Sequence, residues 1–159
     1  MAQKIMICID GSEFSNEALK WYSQNFYREG HKCYLVYVPE SFVNVSMMSP
    51  GKHLECVREA EERTAHVKKQ YVELAAKCNV PAEFVAAHGK DDEKTGAVLI
   101  RIAKELDPLF IITGTRGMGT IRRTILGSVS DYLVHHSSCP VLVARHKEPH
   151  HKGQQQMDQ

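Results

Sequence analysis

The chain has 159 residues, of which 43% are hydrophobic and 25% are charged, and these values fit one globular domain with a sizeable core. Its formal net charge of +1 excludes a global field that would recruit nucleic acid or an acidic membrane surface, so we expect neither as a partner. No apolar run has the length of a membrane span, and Met1–Lys4 leads into a strand-like run instead of a signal peptide. We therefore expect a cytoplasmic protein.

The five cysteines are odd in number, scattered and without a C-x-x-C pair. This distribution argues against a disulfide framework and against a structural zinc site, so no metal site is predicted. Cys8 and Cys33 lie inside strand-like runs, and we expect both to be small, buried apolar residues.

Five apolar runs have the length of β-strands. They are Lys4–Ile9, Cys33–Val38, Ala82–Ala87, Leu109–Thr113 and Pro140–Ala144. The first, second and fourth runs are almost continuous in apolar residues, which is typical of strands covered on both faces.

Four helical patterns lie between these runs, with apolar residues recurring at steps of three and four. They cover Phe14–Phe26, Val57–Cys78, Leu99–Leu106 and Val129–His136. Ser12 can cap the first helix, Asn79 with Pro81 stops the second, and Asp107–Pro108 ends the third. The β-α-β-α-β-α-β-α-β order predicts an α/β domain with a parallel sheet and helices on both faces.

Three segments fall outside the periodic pattern. Glu40–Lys52 is predicted to be a loop, and two interpretations remain open: a lid over a ligand or an ordinary surface excursion. Lys90–Thr95 is predicted to be a solvated turn. Residues 147–159 lack apolar residues that could pack, so a disordered tail is expected there after a domain spanning residues 1–146.

Residues 114–130 contain four glycines directly after the fourth strand. Glycine lets backbone N–H groups approach an anion closely, and successive amides form an anion nest. Gly127 and Ser128 open the fourth helix, whose amides and dipole favour negative charge, and Arg116 lies beside them as a cation. Ser128 with Asp131 also fits a capping box, which is compatible with a phosphate site.

Two common nucleotide fingerprints are absent. The chain has no G-x-x-x-x-G-K-[ST] loop, and DGSEFS stands after the first strand where G-x-G-x-x-G would be expected. Asp10 at that strand end has two interpretations: it accepts hydrogen bonds from a ribose or adenine edge, or it shapes a D-G-S turn.

These features together resemble the ATP-binding branch of the universal stress protein family. That branch carries G-x-x-G, nine residues and G-[ST], and here Gly114-Thr115-Arg116-Gly117 is followed by nine residues and Gly127-Ser128. The opening ICIDGSEFS and the final PVLVAR also match, and the similarity covers about residues 3–146. The charged Lys90–Thr95 segment and the glutamine-rich tail depart from the family pattern without removing a motif residue.

The resemblance implies a site for ATP, with AMP or ADP as alternatives and Mg²⁺ as a possible companion ion. Asp10 and Gly11 would lie at the adenosine, and Val38 would contact adenine. Gly114, Arg116 and Gly117 would wrap the ribose and phosphates. The phosphate tail would be held by Gly127, Ser128, Val129 and Ser130.

The resemblance also implies an architecture and an assembly. The fold would be a single three-layer α/β/α domain of the Rossmann-like, adenine nucleotide alpha hydrolase-like type, with five parallel strands in the order 3-2-1-4-5. Family members commonly form homodimers through the last strand, here Val141, Leu142 and Val143. An unpaired apolar edge of that kind needs a partner.

Two function classes remain open. The first is a non-enzymatic ATP-binding protein, a regulatory dimer in the stress response. The second is a slow ATPase or phosphotransferase that uses the same site. Phosphoryl transfer requires positioned metal ligands and a group that orients the nucleophile, but Asp10 is the only obvious acid near the predicted site, and no catalytic residues are assigned. The binding protein is therefore favoured.

Overall fold

The computed structural model describes residues 2–40, 47–90, 92–115 and 126–145. Five strands alternate with four helices along them: β1 (Gln3–Ile9), α1 (Glu13–Asn25), β2 (His31–Tyr37), α2 (Pro50–Lys77), β3 (Ala82–Ala86), α3 (Thr95–Leu106), β4 (Phe110–Gly114), α4 (Ser128–His136) and β5 (Val141–Ala144). Within these described ranges, no helix combines the length and apolar character needed to cross a lipid bilayer.

The strands form one parallel sheet in the order β3-β2-β1-β4-β5. This arrangement confirms the expected fold class. The chain moves from β1 outward to β2 and β3, then returns to place β4 on the other side of β1. The carboxyl ends of β1 and β4 therefore flank the point where strand order reverses, which is where open α/β sheets bind ligands.

The central strand shows how the two faces of the sheet are covered. Ile5, Ile7 and Ile9 belong to a buried cluster with residues of α1 and α2. Met6 and Cys8 belong to a second cluster with residues of α3 and α4. Because successive side chains of a strand point to opposite faces, this alternation places one helix pair on each side of the sheet. The expected three layers and the burial of Cys8 are confirmed, and Cys33 is also buried.

The helix ends follow the predicted signals. Ser12 is the N-cap of α1, and its hydroxyl accepts a hydrogen bond from the amide of Ser15. α2 ends at Lys77, and Asn79 adopts a left-handed φ of 55° directly afterwards. α3 ends at Leu106, and its C-cap Asp107, with a φ of 49°, directly precedes Pro108. These left-handed residues terminate helices by redirecting the chain.

The prediction of a loop over Glu40–Lys52 is partly wrong. α2 already begins at Pro50, and the hydroxyl of Ser49 caps it by accepting from the amide of Lys52 at 3.4 Å. Proline suits the first turn of a helix because its missing N–H has no acceptor there. Residues 41–46 lie outside the described part of the chain. All buried residues of α2, namely Val67, Tyr71 and Ala75, lie in its second half.

The predicted solvated turn over Lys90–Thr95 is held by an ion pair in its described part. The guanidinium of Arg101 donates to the carboxylate of Glu93 at 3.0 and 3.3 Å, and also to the carbonyl of His88 at 2.9 Å. The Glu93 side chain is only 20% exposed. Hydrogen bonding to Arg101 lowers the pKa of Glu93.

α3 and α4 pack closely because α3 carries a glycine at their crossing. A Cβ at Gly96 would lie 2.6 Å from Cδ1 of Tyr132. His136, the last position of the predicted Val129–His136 pattern, is exposed, and its ring stacks on Tyr132 with centroids 3.9 Å apart. Leu133 instead supplies the fully buried side chain of α4.

Candidate functional site

A cleft of about 240 Å³ lies at the strand-order reversal. It brings together seven of the ten predicted site residues: Asp10, Val38, Gly114, Gly127, Ser128, Val129 and Ser130. Gly11 follows Asp10 directly in the turn beside the cleft. Arg116 and Gly117 lie outside the residues that the structure describes. Two segments far apart in the sequence, the turn after β1 and the start of α4, thus form facing walls.

Asp10 follows the last residue of β1 and organises the turn into α1. Its Oδ1 accepts hydrogen bonds from the Ser12 amide at 2.9 Å, the Ser12 hydroxyl at 2.5 Å and the Ser15 hydroxyl at 2.8 Å. Oδ2 accepts no hydrogen bond from any residue that the structure describes. The turn-shaping interpretation is therefore correct for Oδ1, while Oδ2 remains able to accept from a ligand.

The backbone conformation at position 11 favours glycine. Its φ is +85°, in the left-handed region that side-chain-bearing residues rarely adopt. A Cβ there would lie 3.6 Å from Cγ2 of Val67, which is ordinary contact. The glycine is thus required by the conformation of the turn.

A buried hydroxyl network supports the turn from below. Ser15 is 3% exposed and Tyr71 of α2 is fully buried. The hydroxyls of these two residues are hydrogen-bonded to each other, and the Tyr71 hydroxyl also lies 3.5 Å from the carbonyl oxygen of Ser12. Burial raises the pKa of Tyr71 to about 12, so the phenol stays protonated at neutral pH.

The start of α4 forms the opposite wall. The capping-box prediction for Ser128 is wrong, because Gly127 is the N-cap and no side chain caps the helix. The first helical bond runs from the amide of Asp131 to the carbonyl of Gly127 at 2.9 Å. The preceding amides, of Ser128, Val129 and Ser130, have no acceptor among the described residues. Free amides and the helix dipole favour an anion at this position.

Ser130 and Gly127 fasten α4 to the end of β4. The Ser130 hydroxyl lies within donating distance of the carbonyls of Thr115, at 3.1 Å, and Gly127, at 3.0 Å. The Gly127 amide donates to the same Thr115 carbonyl at 2.6 Å. Because Ser130 is only 2% exposed, its hydroxyl anchors the helix, and its backbone amide is the group left free at the helix start.

Gly114 ends β4 against the first turn of α1. A Cβ at this position would lie 2.8 Å from the carbonyl oxygen of Phe14 and 2.9 Å from its carbonyl carbon. Contacts this short with backbone atoms require the elements to move apart. Gly114 therefore has a packing role, and it brings α1 and β4 close enough to bound one cleft.

The cleft also contains six residues that the sequence did not single out: Cys8, Ile9, Ser15, Thr95, Leu99 and Thr113. Leu99 adds an apolar wall together with Val38 and Val129, and Thr95 begins α3. Burial, reinforced by the negative charge of Asp10, raises the pKa of Cys8 to about 12, which keeps its thiol neutral. The apolar run of β1 is nearly continuous, so its pattern does not indicate which side chain faces the cleft. The position of Cys8 next to the strand end is the one sequence feature that places it near the site.

The described residues of the cleft are mainly apolar or neutral. Asp10 is the one charged side chain among them. Across residues 2–40, 47–90, 92–115 and 126–145, no three His, Cys, Asp or Glu side chains gather to hold a metal ion. The arrangement combines an apolar slot, one carboxylate and a cluster of free amides.

Comparison with known proteins adds a family. Residues 1–145 match the model of the universal stress protein family. The chain is 27% identical over 162 aligned residues to universal stress protein YxiE of Bacillus subtilis, covering 91% of this chain and all of that protein. It also resembles the crystal structure of an AMP-bound universal stress protein family protein from Arabidopsis thaliana, with 20% identity, a TM-score of 0.66, and 91% and 92% of the two chains covered.

A second solved structure, a universal stress protein in complex with cAMP, has 19% identity to this chain. Its TM-score is 0.67, and the match covers 93% of this chain and 100% of the other. These structural similarities concern the fold.

Proposed function

The chain belongs to the universal stress protein family, and from that premise we propose that it binds an adenine nucleotide in the cleft between β1 and β4. The observation that carries the proposal is the pairing of Asp10 with the uncapped start of α4 across one cleft. A carboxylate accepts from hydroxyl or amino groups, and free helix amides donate to phosphate. A nucleotide presents both chemistries, one at each end.

The proposed orientation follows from the chemistry of the two walls. Oδ2 of Asp10, with Gly11 beside it, would accept a hydrogen bond from the ribose or the adenine edge. Val38 would contact the base, within an apolar slot completed by Leu99 and Val129. The amides of α4 would donate to phosphate oxygens.

The remaining predicted contacts keep their sequence-based assignments. Gly114, Arg116 and Gly117 would wrap the ribose and phosphates. We propose ATP, ADP and AMP as the ligand class, with Mg²⁺ accompanying the polyphosphates. The solved relatives with bound AMP and cAMP support an adenine nucleotide. The proposed role is regulation in the stress response by nucleotide binding, in the cytoplasm.

We also propose a homodimer through β5. This strand is an edge of the sheet and pairs, in the described part of the chain, with β4 alone. Val141, Leu142 and Val143 are only partly buried. A short apolar edge strand is a template for pairing with a second chain. The domain responsible for both properties would span residues 1–146, with residues 147–159 as an appended tail.

Calorimetric titration with AMP, ADP and ATP, with and without Mg²⁺, tests the proposal. The critical variant is Gly127→Val. Gly127 has φ −74° and ψ 162°, an extended conformation that valine adopts readily. The branched side chain would obstruct phosphate at the helix start, so loss of hydrogen bonds to a charged group should weaken affinity at least about tenfold.

Gly51→Val is the matched control, since Gly51 also lies at a helix start and a Cβ there would meet nothing within 4 Å. Its affinity should stay within about twofold of wild type. Unchanged affinity of Gly127→Val would remove α4 from the site. Absence of binding by every adenine nucleotide to the wild-type protein would overturn the proposed function. A phosphate-release assay on the same samples would detect turnover.

A further inference from the structure

We propose that Tyr71 is a positioning residue for the nucleotide, acting through Ser15 on the carboxylate of Asp10. This inference rests on the proposed function and concerns the same site. Tyr71 lies on α2 and does not line the cleft. Its hydroxyl is nevertheless the far end of a hydrogen-bonded chain that terminates at the one charged group among the described cleft residues.

The order of donors along this chain follows from the chemistry of its end. An ionised carboxylate only accepts, so the Ser15 hydroxyl donates its proton to Oδ1 of Asp10 at 2.8 Å. With that proton committed, the oxygen of Ser15 can only accept from Tyr71, which makes the phenol the donor. The raised pKa of Tyr71, about 12, keeps this donor available at neutral pH. All donors then point towards the carboxylate, and each strengthens the next.

Removal of the Tyr71 hydroxyl would open an alternative for Ser15. The carbonyl of Ser12 lies 3.1 Å from the Ser15 hydroxyl and competes with Asp10 for its proton. The Tyr71 hydroxyl polarises Ser15 in favour of the charged acceptor, because charge-assisted hydrogen bonds are the stronger ones. Three donors on Oδ1 hold the carboxylate in one orientation and leave Oδ2 for the ligand. Such preorganisation raises affinity without adding a ligand contact.

α2 supports the same turn at a second point. Val67 precedes Tyr71 by one helical turn and lies in ordinary contact distance of a Cβ placed on Gly11. Both Val67 and Tyr71 are buried. Two successive turns of α2 therefore lie beneath the segment that carries Asp10, which makes the orientation of this carboxylate dependent on a helix outside the cleft.

The test compares Tyr71→Phe with Tyr22→Phe by calorimetric titration with AMP. Tyr22 is also fully buried and hydrogen-bonded, to His31 at 2.7 Å and Cys33 at 3.2 Å, and it does not line the cleft. Each substitution removes one buried hydroxyl, and urea unfolding would measure the stability that each one costs. Tyr71→Phe should weaken AMP binding by about fivefold to tenfold, the equivalent of one hydrogen bond, and Tyr22→Phe by less than about twofold.

Double mutants separate positioning from general destabilisation. In an Asp10→Asn background, Tyr71→Phe should weaken AMP binding no further, because the group that it orients has lost its charge. Ser15→Ala should reproduce the loss seen with Tyr71→Phe, and the two together should lose no more than either alone. Ser15→Ala also keeps the test usable if Tyr71→Phe folds poorly.

The inference would be overturned if Tyr71→Phe bound AMP as tightly as wild type does. It would also be overturned if Tyr71→Phe weakened AMP binding equally in the wild-type and Asp10→Asn backgrounds. Either result would leave the proposed function intact. If the wild-type protein binds ATP or ADP but not AMP, the same comparison is made with that nucleotide. Absence of binding of AMP, ADP and ATP alike would overturn the proposed function itself.

Discussion

Gly114→Ala tests whether the close approach of β4 to α1 builds the cleft. The substitution adds one methyl group at the end of β4. That methyl would lie 2.8 Å from the carbonyl oxygen of Phe14, 2.9 Å from its carbonyl carbon and 3.0 Å from its Cβ. None of these atoms is the end of a flexible side chain, so a rotamer change cannot relieve the contact.

The magnitude follows from the required displacement. Ordinary contact begins at 3.4 Å, so the first turn of α1 and the end of β4 must separate by roughly 0.6 Å. Overpacking of this kind typically destabilises by about 1–3 kcal/mol, and for a domain of this size each kcal/mol lowers Tm by about 2–4 °C. The same movement would carry the Asp10 turn away from α4, so AMP affinity should fall as well.

Urea unfolding followed by circular dichroism measures the first effect and calorimetry the second. Gly51→Ala is the control, because a Cβ there meets nothing within 4 Å and alanine in a helix is favoured over glycine by up to about 1 kcal/mol. The urea unfolding midpoint of Gly51→Ala should equal or exceed that of the wild-type protein. A wild-type midpoint for Gly114→Ala, with an unchanged m value, would refute the packing role assigned to this glycine.

Two further predictions concern pH and assembly. Burial, with a smaller effect of Arg28, lowers the pKa of His31 below its ordinary 6.5. The unfolded chain therefore binds a proton at this histidine before the folded protein does, and stability falls as pH drops below about 6.5. Urea midpoints measured at pH 7.5 and 5.0 should differ less in His31→Phe than in wild type, and an equal difference would contradict the prediction. Val143→Lys on β5 should shift sedimentation velocity from dimer to monomer, whereas Glu83→Lys on the opposite edge strand should not; a dimer retained in Val143→Lys would exclude β5 pairing.

The order of the elements could be predicted because each strand and helix core carries a distinct hydrophobic period. The start of α2 could not be predicted, because its first turn contains no apolar repeat. Pro50 to Leu54 shows the problem: the segment is helical, but Leu54 is 70% exposed. Periodicity reports burial, and a helical turn that buries nothing leaves no such signal.

Only part of the candidate site could likewise be predicted from the sequence. Asp10 could be placed in the site from its position at a strand end, whereas Val38 was implied by the family resemblance. The N-cap of α4 could not be predicted, because Gly127 and Ser128 are adjacent and both suit an N-cap. In the structure Gly127 is the N-cap, and its amide donates a hydrogen bond to the Thr115 carbonyl. The contact between Tyr71 and Ser15 joins positions 56 residues apart, which no local pattern reveals.

The uneven burial along α2 has a consequence for amide hydrogen exchange. The helix runs 28 residues, but its buried side chains begin only at Val67. Amides before that point can open by local fraying, whereas those around Tyr71 exchange only when a large part of the domain unfolds. A ligand that stabilises the domain would slow exchange in the second half of the helix and leave the first half unchanged. One continuous helix therefore contains both a probe of global stability and its own internal reference.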